Sequence, residues 1–188
     1  MHNYCSTSPT ISRVLFPIFR VLVGITFVFS GFVKAIDPLG TTYKIQYYLE
    51  VMNLSWFSEL ALIASFILIT AEFLAGMLLI TNINFKLGLW LSSLLMVAMT
   101  PLTLWIALEN PVTDCGCFGD AIILSNWATF WKNVVLDALI IILWLLQKQV
   151  YRPWLTSFPS WTLTLSFCLI TIGIGIHSLN NLPIIDFR

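Results

Sequence analysis

Charge is what this chain has least of. Only 10% of its 188 residues are charged, against about 25% in an ordinary soluble domain. With 59% hydrophobic residues and a mean hydropathy of +0.91, that deficit excludes a solvent-covered globule and points to an integral membrane protein. Nine Lys+Arg balance nine Asp+Glu, so no charge excess recommends a nucleic-acid or acidic partner. Histidine is nearly absent. His2 and His177 fall at opposite faces of the expected bundle, which argues against haem ligation, and no metal site is expected. Zinc takes four ligands, whereas the chain offers two neighbouring cysteines, those two histidines and no spaced second pair. Internal repeats and low-complexity tracts are missing too.

What is present is long apolar runs. A spanning helix needs roughly 20 mostly apolar residues, and five stretches qualify: 14–33, 58–80, 87–108, 131–147 and 160–179. Arg13 and Arg20 accompany the first run, but its exit SGFVKAIDP has no small-x-small cleavage site, so it reads as a retained signal anchor. The expected fold is all-α: a polytopic membrane helical bundle, one integral membrane domain over residues 1–188, with the lipid bilayer as its principal partner.

Lys and Arg in the short connections vote on orientation. With the N-terminus inside, Arg13, Arg20, Lys86, Lys148 and Arg152 lie inside, and Lys34, Lys44, Lys132 and Arg188 lie outside. This places the C-terminus and both long connections, 34–57 and 109–130, on the outer side. In the first connection Ile45, Tyr48, Leu49 and Met52 recur at helical spacing opposite Lys44, Gln46, Glu50 and Asn53, the pattern of an interfacial helix. In the second, Ile122, Ile123, Leu124, Trp127 and Phe130 suggest a similar segment, with Trp127 and Trp131 as headgroup anchors. Together they are expected to lid the bundle.

Ionisable groups inside spans need a partner or a cavity. Arg20 and Glu72 come out at matching depth, roughly 10 and 12 Å from the inner ends of their helices at about 1.5 Å per residue. They are read as an intramembrane ion pair, or more sharply as a proton or quinone-headgroup site. Asp137 lies closer to the outer interface, as do Lys34, Asp37 and His177. These four supporting polar residues converge in depth on a turn that carries two cysteines.

That turn is DCGCFGDA, Asp114 to Ala121. On the outer side it faces an oxidising compartment, where disulfides persist. Cys115 and Cys117 are partners for each other or for another protein, because Cys5 belongs to the inner tail and Cys168 to the middle of the fifth span. A bond across Cys-x-Cys closes a small ring away from relaxed geometry, and strain makes a disulfide easier to reduce. Gly116 eases the closure. Asp114 and Asp120 oppose a thiolate, while Lys34, His177 or a following helix N-terminus favour one. The alternatives are redox-active thiols, an inert turn, or a metal site short of ligands.

SGFVKAIDP at Ser30 to Pro38, Glu72 in the second span, and NPVTDCGCFGDA at Asn110 to Ala121 followed by LSNWATFWKN resemble the DoxX and MauE group of small membrane proteins. The likeness runs from Val14 over nearly the whole chain and is most specific at the cysteines. It implies a four-helix core, here with a fifth transmembrane helix added, in a bacterial cytoplasmic membrane. It also implies a thiol site on the outer face, with Lys34, Asp37, Glu72, Cys115 and Cys117 at matching positions. MauE is associated with forming the disulfides of the methylamine dehydrogenase small subunit, and DoxX is named for a thiosulfate:quinone oxidoreductase subunit. Related chains can continue into a soluble domain; this one ends at NLPIIDFR, so a thioredoxin-like partner is expected to be a separate protein.

Three functions compete. The first is a membrane thiol-redox protein in which catalytic Cys115 and Cys117 exchange with an envelope client or a thioredoxin-like carrier, quinone being a possible cofactor and electron partner. The second is a non-catalytic subunit anchoring a larger membrane complex. The third is a small-molecule permease with Arg20, Glu72 and Asp137 as its polar path.

Overall fold

Backbone polar groups in hydrocarbon must be satisfied within the chain, and the helix is the local way to do it. The computed structural model describes residues 10–112, 115–119, 121–150 and 157–180. His2, Cys5, Asp114, Asp120, Arg152 and the terminal NLPIIDFR lie outside the described residues. Among those described, the regular structure is helix: α1 (Thr10–Ile36), α2 (Pro38–Val51), a 3-10 helix (Ser55–Leu60), α3 (Ala61–Thr81), α4 (Phe85–Glu109), α5 (Asn126–Val150) and α6 (Ser157–Asn180). Five helical stretches are long and apolar enough to cross a membrane. Each contains one expected span and exceeds it by one to six residues, because helix ends carry polar residues that a hydropathy window trims.

Helices α1, α3, α4 and α5 share a core of Phe16, Val23, Phe27, Leu79, Phe85, Leu89, Met96, Leu136, Ile140 and Leu143. α6 packs outside it, against α3, α1 and α2. Polar side chains stitch α4 to α5 in antiparallel register: Asn133 Nδ2 donates to Thr103 Oγ1 at 3.1 Å, Thr100 Oγ1 to Asp137 Oδ2 at 2.7 Å, and Trp144 Nε1 to Ser93 Oγ at 2.9 Å. In lipid such bonds, with small residues at the contacts, hold helices together. The outward faces are apolar, as at Ile67, Leu94, Val97 and Leu169.

Glycine sets the register of α1 on α3. An ideal Cβ at Gly31 would stand 2.6 Å from the backbone N of Phe73, and one at Gly76 would stand 2.6 Å from the Gly24 carbonyl oxygen and the Val28 N. The resulting crossing puts Lys34, two residues before the end of α1, beside Glu72, which lies 11 residues into α3. α3 therefore runs past the end of α1 by roughly 13 Å at 1.5 Å per residue.

This stagger corrects one expectation. Arg20 and Glu72 do not meet: Glu72 pairs at the level of Lys34, about 21 Å along α1 from Arg20. Matching depths assumed helices of flush ends, and these are not flush. α2 packs on the protruding part of α3 through Pro38, Thr41 and Thr42, with Thr42 Oγ1 2.9 Å from Ser65 Oγ. Of its expected apolar face, Ile45, Tyr48 and Leu49 are half-buried on the same side, and Met52 is exposed. The second connection forms no interfacial helix before α5; residues 121–125 are non-helical and α5 itself begins at Asn126. Trp127 and Trp131 are exposed on its first turns, as membrane anchors require.

Candidate functional site

Both long connections close the same end of the bundle, where four elements converge on the cysteines. Gly116 and Gly119 adopt left-handed φ of +67° and +55°, which a side chain would resist. Gly119 N donates to Gly116 O at 3.0 Å, so the chain doubles back there. The turn brings Cys115 Sγ and Cys117 Sγ to 3.2 Å, and both are free thiols.

Neighbouring elements pin this turn. Tyr48 of α2 donates its hydroxyl to Cys115 O at 2.9 Å, and Tyr47 does so to Pro111 O at 3.0 Å. Asn126 Nδ2 at the start of α5 donates to Val112 O at 2.9 Å. Phe118 packs edge-on against Phe29 of α1, ring centroids 5.4 Å apart, with the Lys132 ammonium of α5 4.4 Å from its own centroid.

Beneath the turn lies a buried polar cluster. Lys34 Nζ donates to Glu72 Oε1 at 2.6 Å, to Glu72 Oε2 at 2.7 Å and to Ser30 Oγ at 3.0 Å. Ser30 and Lys34 are four residues apart and so share a helix face. Ser30 Oγ also lies 2.8 Å from Glu72 Oε2 and 2.6 Å from Cys117 O. Its single hydroxyl proton serves one of those acceptors at a time.

Two cavities flank the sulfurs. A cavity of about 30 Å³ is lined by Ser30, Glu72, Cys117, Lys132 and Asn133 among others. On the α2 side another of about 70 Å³ is lined by Lys34, Lys44, Tyr48, Cys115 and Cys117 with apolar residues of α3 and α4. Cys117 therefore borders both.

The two sulfurs ionise differently. Cys117 is lowered to about 6, chiefly by the hydrogen bond from the Cys115 thiol and then, against its burial and the Glu72 charge, by the positive charges of Lys132 and Lys34. Cys115 is pushed well up by giving that hydrogen bond, by burial and by the charge of its partner. Ionisation of the reduced pair is thus favoured at Cys117, with the Cys115 thiol donating to it. A thiolate is the species that attacks a disulfide.

The other expected site residues are placed as follows. Lys34 and Glu72 join the cysteine cluster. Asp37 caps α2, its Oδ1 accepting from Gly40 N at 2.9 Å. Asp137 accepts from Thr100 across the α4–α5 contact and does not reach the turn. His177 is exposed on α6, which packs on α1, α2 and α3. Ser30, Tyr48 and Lys132 belong to the site without having been expected there. Lys132 had a readable signal: Ser125 accepts from Ala128 N and Thr129 N at the helix start, which sets Lys132 inside a span, where a charge needs a reason. Among the described residues no group of three or more His, Cys, Asp or Glu is placed to hold a metal.

A multi-pass membrane protein whose bundle is closed at one end by a paired-cysteine turn is the class that this fold and geometry define. The chain belongs to the MauE family: residues 12–146 match the family described as Methylamine utilisation protein MauE. The match runs from α1 into the last turns of α5, and α6 lies beyond it. No curated protein and no solved structure matches the chain.

Proposed function

We propose that this protein is a membrane thiol-redox protein, linked as its family name suggests to methylamine utilisation, in which Cys115 and Cys117 exchange disulfides with an envelope protein. The observation that carries the reading is the unequal sulfur pair: a thiolate and a thiol in contact at the bundle end, the thiolate bordering two cavities. Starting from the Cys115–Cys117 disulfide, a client thiolate attacks one sulfur, and the other leaves with the bond's electron pair. The client's second thiolate then attacks the mixed disulfide. The client gains a disulfide, and two electrons and two protons remain on the pair. A thioredoxin-like carrier or the quinone pool takes them in turn. The low Cys117 thiol makes it a good leaving group, since thiols of lower pKa leave faster. The membrane is the bacterial cytoplasmic membrane, with the N-terminus inside, the C-terminus outside and the cysteine turn on the outer face.

The test is thiol trapping in intact cells with a membrane-impermeant maleimide, in a chain carrying Cys5→Ser and Cys168→Ser. The pair is expected to be blocked until mild reductant is added and then to label from outside. Labelling at once, or never, would leave the turn as a fixed part of a non-catalytic membrane subunit.

A further inference from the structure

Four of the helices around Cys117 bring a charge to its cavities, while α4 brings only apolar side chains. α1 contributes Lys34, α2 Lys44, α3 Glu72 and α5 Lys132; Cys115 is in the turn itself. Their effects are unequal. Lys34 is clasped by both oxygens of Glu72 at 2.6 and 2.7 Å, side chains about 95% buried, so its effect on the sulfur is opposed by that of the carboxylate it holds. Lys44 borders the cavity on the α2 side. Lys132 has no carboxylate partner among the described residues; its contact is the face of Phe118. An aromatic ring attracts an ammonium through its quadrupole and leaves the charge intact. Phe118 is the residue after Cys117, and Lys132 and Cys117 line the same 30 Å³ cavity. The ring thus sets an uncancelled cation at the sulfur's own cavity wall.

We propose that Lys132 is the positioning residue of the thiol pair: its ammonium, held on the Phe118 ring, adds to the Cys115 hydrogen bond in holding negative charge at Cys117. The inference rests on the exchange reading, but its readout does not depend on a client. When the disulfide forms, the thiolate charge is lost, and the negative charge left on the cavity wall is Glu72, which is held by Lys34. The same ammonium then attracts an incoming thiolate, so one residue serves both halves of the cycle.

The experiment uses the full chain in detergent, with Cys5→Ser and Cys168→Ser, fully reduced, and follows alkylation of Cys117 against pH by mass spectrometry. Lys132→Met is expected to raise the midpoint by about one unit or more, the size of a nearby opposite charge, and to slow labelling at pH 7 several-fold. Lys132→Arg is expected to keep the wild-type midpoint, and Lys44→Met to move it less. Should Lys132→Met not fold as judged by its elution and thermal unfolding, Lys132→Gln reads the same shift. An unmoved midpoint in a folded variant overturns the proposal; so does an equal shift in Lys44→Met, which would make the field diffuse, or failure of Lys132→Arg, which would make the role steric. The exchange reading fails by a different result: a Cys117→Ser chain that still oxidises a dithiol peptide.

Discussion

At the scale of single residues, the site works through contrasts between like groups. The two cysteines differ because one hydrogen-bonds the other, and this is open to test. In Cys115→Ala the largest influence lowering Cys117 is gone, so its alkylation midpoint is expected to rise from about 6 toward the ordinary thiol value of 9.0. In the unaltered chain the thiolate forms above about pH 6, and the rate falls about tenfold for each pH unit below it. A midpoint that stays put would show that Cys115 is not the donor. The buried ion pair gives a second contrast. Glu72→Leu strands the Lys34 ammonium and is expected to cost about 3–5 kcal/mol, read as a fall in the thermal midpoint in detergent. Lys34→Met combined with Glu72→Leu should recover most of that loss. If the single change is harmless, the pair is not holding α1 to α3. The Cys-Gly-Cys turn and Lys34 were both legible from the sequence as belonging to one end of the molecule. The partner of Glu72 was not, because which of two cations an acid meets depends on register, and no residue announces register by itself.

At the scale of helices, apolar length alone was enough to find all five spans, since lipid imposes that length on any chain. Register came instead from close approach. Gly24, Gly31 and Gly76 let the α1 and α3 backbones nearly touch, and the stagger that follows decides that Lys34, and not Arg20, reaches Glu72. Gly76→Ala is expected to destabilise the protein by about 1–3 kcal/mol through overpacking. Gly173→Ala, where nothing lies within 4 Å of an added methyl, is expected to leave the thermal midpoint unchanged. Equal midpoints for the two variants would mean that the helices can part without loss. The α2 helix shows what pattern reading finds and what it leaves out. Its Ile45, Tyr48 and Leu49 are half-buried, as the amphipathic spacing requires, but the fully buried contact is made by Thr41 and Thr42, because the surface waiting on α3 offers Ser65.

At the scale of the whole molecule, the division of labour follows the chain. The family match takes in α1 to α5 nearly entire, and that stretch, helices and turn together, supplies every residue of the site described. α6 covers Leu74, Leu78 and Ile83 from outside with Phe167 and Cys168. Among the described residues the connection between α4 and α5 is the longest non-helical stretch, and its turn is clasped by α1, α2 and α5. One clasp has a choice of partners. The Ser30 hydroxyl has a single hydrogen and two acceptors in reach, one on the frame at Glu72 and one on the turn at Cys117. Glu72 Oε2 also accepts from Lys34 Nζ at 2.7 Å, so the hydroxyl can turn to Cys117 O without stranding the carboxylate. The joint directly beneath Cys117 is therefore a latch that opens and closes at little cost.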